Sequence, residues 1–163
     1  MKSLLLLFGV LLISTSAIDE VRSQFPEIDS KEQAESFIKL LKDNKSPEAK
    51  GYSAAMILMK SRYVIFPLTK LKYFKEGKKE LNDVIKKNPK NVEIRYLRFS
   101  MQKQIPNFLG YHDNLNEDFN LIINDIEIST IHHSLKDKIL SNMLLLNNLT
   151  SNEKSKLTKL MNR

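Results

Sequence analysis

The sequence predicts an all-α protein, and three observations support this fold class. Apolar residues recur at intervals of three and four along most of the chain, as they do on the buried side of a helix. Helix-start signals precede these segments, either a small polar residue at the cap position or a proline in the first turn. Alternation with a period of two is brief, and its best example covers only residues 126–131. We therefore expect about seven helices, packed as antiparallel hairpins.

The N-terminus has the organisation of an export signal. Lys2 precedes an apolar run over residues 4–13, and small residues follow, with Ala17 at the natural cleavage position. An apolar run of about 7–15 residues suits a signal peptide, whereas a membrane-spanning helix needs roughly 20. We expect residues 1–17 to be a signal peptide and the protein to be exported, to the periplasm if the source is Gram-negative and otherwise into the medium. The alternatives are an uncleaved anchor or a buried core helix.

The remaining residues are enough for one domain that holds together by packing alone. The chain contains no cysteine, which excludes disulfides, thiolate metal sites and a cysteine nucleophile. No second apolar run of spanning length follows residue 17, so we expect no transmembrane segment in the mature chain. Residues 18–29 lack a strong helical pattern and are expected to be a loose segment.

The first two expected helices have clear starting signals. Ser30 begins a capping box, and a first helix is expected over about residues 30–43. Its apolar face consists of Ala34, Phe37, Ile38 and Leu41. Ser46 and Pro47 then begin a second helix, which continues toward Tyr63, because serine suits the cap and proline suits the first helical position.

A third helix is expected to begin at Pro67, since the residue before a proline is disfavoured in the α conformation. Its expected buried stripe consists of Leu71, Phe74, Leu81, Val84 and Ile85. Gly77 lies inside this helix, where a glycine is tolerated if a neighbouring backbone approaches closely. Asn88 and Pro89 end the helix.

Four further helices are expected in the second half of the chain. Asn91 can cap a fourth helix, and residues 105–113 predict an ordered loop. The side chains expected to hold this loop in place are Phe108, Leu109 and Tyr111. Asn114 begins a capping box for a fifth helix, a sixth is expected over about residues 131–147, and Thr150 caps a short seventh.

The junction between the third and fourth helices resembles a known family. Gly77, Leu81, Val84 and Pro89 follow the order of small residue, large residue, smaller residue and proline. The second helix of a tetratricopeptide repeat and the turn after it have this spacing, and about 40 residues of the chain resemble it. No second copy appears at the usual period, so residues 30–163 are expected to form a single tetratricopeptide-like domain. More loosely, the middle of the chain is similar to small exported bacterial proteins of unassigned activity.

Charge is unevenly distributed along the chain, whose net charge is +7. Residues 60–90 contain ten lysines and arginines and three carboxylates, whereas residues 111–130 contain five carboxylates and no lysine or arginine. This division predicts a basic face that attracts anionic partners. The expected partner-binding residues are Lys75, Lys78, Lys79 and Lys86, which recur at helical spacing. The alternative is an ordinary solvated face.

The sequence contains none of the common catalytic or phosphate-binding motifs. We therefore expect a non-enzymatic interaction module that binds a protein, a peptide or an anionic envelope component, with no cofactor. Nucleic acid is not expected as a partner because the protein is exported. The alternative is an enzyme or a metal-dependent site formed by His112, Asp113, Glu117 and Asp118. Five aromatic residues predict either core or a binding groove, and they are Tyr63, Phe66, Tyr73, Tyr96 and Phe99.

Overall fold

The computed structural model describes residues 16–163, which form eight α-helices and one 3-10 helix and contain no strand. The helices are α1 Ala17–Gln24, α2 Lys31–Leu41, α3 Pro47–Lys60, α4 Pro67–Lys87, α5 Val92–Gln104, α6 Leu115–Asp125, α7 His133–Leu144 and α8 Ser151–Met161. The 3-10 helix, Asn107–Leu109, lies between α5 and α6. The predicted all-α class is confirmed, and the seven expected helices correspond to α2 to α8. The apolar run of the expected signal peptide, residues 4–13, lies outside the described residues.

Four helices begin with a side-chain cap at the residue that the sequence predicts. The capping residues are Ser30, Ser46, Asn91 and Thr150. Each accepts a hydrogen bond from a first-turn backbone N–H, which has no partner within the helix. The capping box expected at Asn114 was wrong. Its side-chain Nδ2 instead donates to Glu117 Oε2 at 3.2 Å, and its backbone ψ of 2° is not the extended conformation of a cap.

Helix α5 is the centre of the fold. All residues from 92 to 102 are buried, and the helix contacts α3, α4, α6 and α7. A helix surrounded in this way cannot present a polar side to water, so its charged residues must find partners inside the protein. The buried position of α5 therefore forces the ion pairs described below.

Helices α3 and α4 form the most extensive helix pair, and they are antiparallel, since the end of α3 lies beside the start of α4 and earlier residues of α3 contact later residues of α4. Near the loop that joins them, Lys60 Nζ lies 4.2 Å from the centre of the Tyr73 ring. Further along, a Cβ added to Gly77 would lie 2.6 Å from Leu58 N and 2.8 Å from Ala54 O. The expected close approach of a backbone at Gly77 is therefore confirmed, because only a residue without a side chain fits there.

The segment expected to be loose, residues 18–29, is instead part of the packed fold. It contains α1, and Val21 and Phe25 are both buried in the core. The Phe25 ring packs edge-on against Tyr52 and Tyr96, with centroids 5.5 and 5.7 Å away. A helix of eight residues makes only about two turns, so its apolar periodicity is too brief to identify a helix from the sequence.

Two apolar residues expected to be buried are exposed. Leu71 projects about 60° away from the line of buried residues on α4, so it lies at the edge of the contact with α3. Phe108 does not hold the loop after α5 in place, because the buried Tyr111 does so. Among residues 16–163, no helix combines the length and the apolar character needed to cross a bilayer.

Candidate functional site

The four lysines expected to bind a partner lie along the exposed side of α4, and we call them the lysine face: Lys75, Lys78, Lys79 and Lys86. At about 100° per residue, Lys75, Lys79 and Lys86 project within about 40° of one another. All three are exposed. Lys78 lies at the edge of this face and is half-buried. The backbone geometry therefore places three exposed lysines on one side of α4, with Asp83 between Lys79 and Lys86.

Two lysines of this face have partners within the protein. Lys78 Nζ donates to the Gly110 carbonyl at 3.2 Å and lies 4.8 Å from the centre of the Tyr111 ring. Lys79 forms an exposed ion pair with Asp83 at 2.7 Å, and this hydrogen bond raises the pKa of Lys79. An exposed pair of this kind contributes little to stability and rearranges easily. Lys78 is thus held in place, whereas Lys79 can exchange its partner.

An apolar depression of about 510 Å³ lies beside the lysine face, where the end of α3, the start of α4, the end of α5 and the 3-10 helix meet. Its apolar lining includes Leu58, Met59, Leu71, Phe74 and Met101. Arg62 and Lys70 also line it, which adds two positive charges. A mainly apolar recess with a few charged groups is a typical binding site.

A second depression, of about 500 Å³, connects the lysine face to this apolar region. Lys75, Lys78 and Lys79 line it together with Leu71 and Phe108. Because Leu71 and Phe108 line both depressions, the two are adjacent. Positive charge and apolar surface are therefore contiguous on this side of the protein.

Four large apolar side chains are exposed near these depressions, since Phe108 lines both of them and the other three lie within two residues of Pro67, which lines the first; we call the four the apolar tip. They are Ile65, Phe66, Leu68 and Phe108, whose exposed fractions are 92%, 76%, 83% and 85%. The tip was not predicted, because the sequence pattern favours Phe66 in a groove or the core and Phe108 as an anchor of the loop. One feature of the sequence does indicate the exposure of Phe66. Phe66 precedes Pro67 and has an extended backbone, so residues 61–66 belong to the connection between two helices and not to a buried stripe.

The acidic residues of the alternative site are engaged in structural ion pairs. Asp118 is fully buried and accepts hydrogen bonds at 2.7 Å from Arg95 Nη1, Arg98 Nε and Arg98 Nη2. Glu117 is exposed and accepts from Arg95 Nη1 at 2.6 Å, a hydrogen bond that lowers the pKa of Glu117. Both carboxylates therefore serve to hold α6 against α5.

The other two residues of the alternative site do not join these carboxylates. His112 Nε2 is 3.0 Å from the Ile105 carbonyl oxygen, so its ring faces the end of α5. Asp113 is exposed. Within the described part of the chain, no group of three or more histidine, aspartate or glutamate side chains is arranged to hold a metal ion. The geometry does not assemble the four residues into a site.

A larger depression, of about 680 Å³, is lined by residues of α1, α3, α5 and α7, and its charged groups have partners within the protein. Arg22 Nε and Nη2 donate to the two oxygens of Glu93, each at 2.7 Å. Glu48, also in the lining, accepts from Asn91 Nδ2 at 2.6 Å. These contacts hold α1 and α3 against α5, so the paired polar groups of this depression have a structural role.

Comparison with known proteins assigns no function to this surface. No family model matches the chain, and no significant match is found among curated proteins or among solved structures.

Proposed function

We propose that the chain is an exported, non-enzymatic interaction module that binds a protein, a peptide or an anionic envelope component. Its binding surface consists of the lysine face and the adjacent apolar depressions. One observation carries this proposal: Lys75 and Lys79 line the same depression as Leu71 and Phe108. A surface that combines positive charge with apolar area suits a partner that is acidic and partly apolar.

The proposal includes a tetratricopeptide-like arrangement of α3, α4 and α5. The antiparallel pairing of α3 and α4, the close approach at Gly77 and the turn at Pro89 support it. Folds of this type commonly present extended surfaces to peptides. The proposal also includes export, which rests on the apolar run at residues 4–13. Mass spectrometry of the protein from its native host should give Ile18 as the mature N-terminus, and an intact Met1 in the envelope fraction would contradict the expected cleavage.

Charge reversal tests the binding surface. Exchanging Lys75, Lys78, Lys79 and Lys86 for glutamate should weaken capture of the protein by immobilised envelope extract. The effect should lie chiefly in the association rate, because exposed charges steer the encounter of two molecules. Raising the salt concentration should also weaken capture of the wild-type protein by the extract, because the Debye length falls from about 10 Å at 0.1 M to about 3 Å at 1 M.

A matched control changes the total charge by the same amount as the test variant but at other positions. Lys39, Lys154 and Lys159 are exposed on α2 and α8, Lys42 is exposed directly after α2, and their exchange for glutamate changes the net charge by the same amount. Circular dichroism should show both variants folded. If both variants lose binding equally, only total charge matters, and if neither variant nor salt changes binding, the lysine face has no part in it. Either result would overturn the proposed function.

A further inference from the structure

We infer that the partner of this surface is an anionic lipid bilayer, on which the protein docks through the apolar tip and the basic residues around it. This inference rests on the proposed function and names the partner. It concerns attachment to the membrane surface by side chains and short loops, and not a membrane-spanning segment.

The first argument is the shape of the apolar surface. Ile65, Phe66 and Leu68 come from one connection and the helix start beyond it, and each is more than three-quarters exposed. Phe108 reaches the same end of the protein from the 3-10 helix. Such side chains protrude from the surface, beside the concave area that the two depressions provide. Protruding apolar side chains suit the interface of a bilayer, which accepts them without needing a complementary shape.

The second argument is the charge around the tip. Residues 60–75 contain five basic residues and no acidic residue. Of these, Arg62, Lys70, Lys72 and Lys75 are exposed. Each basic residue near an anionic leaflet strengthens binding by about fivefold. Lysine and arginine with large apolar side chains in the same segment form the composition of interfacial membrane-binding elements.

The third argument is that lysines and apolar side chains project in similar directions, so that one flat surface can contact both. On α4, Leu68 projects within about 20° of Lys75 and Lys79, so the lysine face continues the direction of the tip. A flat anionic surface that contacts Leu68 would therefore also contact these lysines. The loop backbone would remain among the head groups, where water still satisfies its polar groups.

The chain contains no tryptophan, so a Phe66→Trp variant carries a single reporter at the tip. Vesicles of phosphatidylcholine mixed with phosphatidylglycerol should shift its emission to the blue, and brominated lipids should quench it. Vesicles of phosphatidylcholine alone should have little effect, and high salt should reverse the shift. Exchanging Lys72 and Lys75 for glutamine should weaken binding by about fivefold for each residue.

Ile128→Trp is the matched control. Ile128 is 81% exposed, like the tip residues, but it follows α6 and its neighbours in the chain include Asp125 and Glu127. Both variants carry the same residues 4–13, so the difference between the two reporters isolates the tip. The expected result is a shift for Phe66→Trp and none for Ile128→Trp.

Two outcomes would overturn the inference. Equal shifts for both variants would mean non-specific adsorption, and no shift for Phe66→Trp would mean that the tip does not enter the interface. If Phe66→Trp ignores lipid vesicles but responds to the protein fraction of an envelope extract, the partner is a protein. In that case the lipid inference fails and the proposed function stands, whereas the proposed function fails only if charge reversal of the lysine face leaves capture unchanged.

Discussion

Arg98 binds both carboxylate oxygens of Asp118, with Nε 2.7 Å from Oδ2 and Nη2 2.7 Å from Oδ1. The two residues are buried and join α5 to α6. Arg95 adds a third donor to the same carboxylate and extends to the exposed Glu117. The charge of Asp118 is therefore compensated within the protein. Asp118 and Glu117 stabilise the fold, and the proposed binding surface lies elsewhere.

Removing the charge of Asp118 should destabilise the protein strongly. Asp118→Asn leaves the buried Arg98 without its hydrogen-bonded carboxylate and leaves Arg95 with only the exposed Glu117, which costs about 3–5 kcal/mol in the free energy of unfolding. Glu117→Gln, in the exposed neighbour, should cost less than about 1 kcal/mol. Urea denaturation of the two variants measures both values. Equal effects would show that the burial of Asp118 does not govern the strength of this ion pair.

Gly77→Ala should also destabilise the protein, although alanine is the better helix former. The new Cβ would lie within 3 Å of backbone atoms of α3, which cannot move without separating the two helices. We expect a cost of about 1–3 kcal/mol. Gly51→Ala is the control, because its Cβ would meet only side-chain atoms of Leu97 and Ile94 at 3.2 Å or more. A thermal melt in which Gly77→Ala equals or exceeds the wild-type stability would contradict the close contact.

Phe25→Ala tests whether residues 18–29 belong to the folded domain. The Phe25 ring is buried between Tyr52 and Tyr96, so its removal leaves a cavity and should cost about 3–5 kcal/mol. The exposed neighbour Gln24 is the control, and Gln24→Ala should change stability by no more than about 0.5 kcal/mol. Unchanged chemical denaturation of Phe25→Ala would mean that this segment is loose after all.

The ion pair between Lys103 and Glu153 should make the stability of the protein depend on pH in the acidic range. Burial alone would raise the pKa of Glu153, but hydrogen bonds from Lys103 Nζ at 2.8 Å and Thr150 N at 2.7 Å outweigh it and lower the pKa. A lowered pKa in the folded state stabilises the protein above the unfolded value of about 4.3, and this contribution is lost as the pH falls through the folded value.

Glu153→Gln should therefore cost about 1–3 kcal/mol at neutral pH, and its difference from the wild type should shrink as the pH falls below about 4. Denaturation curves across this range measure the difference. The exposed Glu127, replaced by glutamine, is the control and should show little change. A difference that stays constant with pH would contradict the role of the Glu153 charge.

Local signals were enough to predict most of the fold. The starts at Ser30, Ser46 and Asn91 depend on hydrogen bonds within one turn, so the residues next to each cap determine them. Gly77 could be interpreted for a similar reason, since a glycine inside a helix needs a packing explanation. Helix α1 was missed because its burial depends on Tyr52 and Tyr96, which are distant in sequence.

The candidate site was only partly predictable. The periodicity of α4 was enough to place Lys75, Lys79 and Lys86 on one side of the helix. The pairing of Arg98 with Asp118 could not be predicted, since either residue could equally have faced water. The exposure of Phe108 depends on which side of the 3-10 helix packs inward, and one turn of helix has no period from which to infer this.

Lysine labelling tests the location of the binding surface most directly. The wild-type protein is acetylated with and without envelope extract, and mass spectrometry then measures the modified fraction at each lysine. Lys75 and Lys79 should be protected by the extract, whereas Lys154 and Lys159, exposed on α8, should be modified equally in both conditions. Protection of Lys154 and Lys159 without protection of Lys75 and Lys79, or no protection at all, would contradict binding through the lysine face.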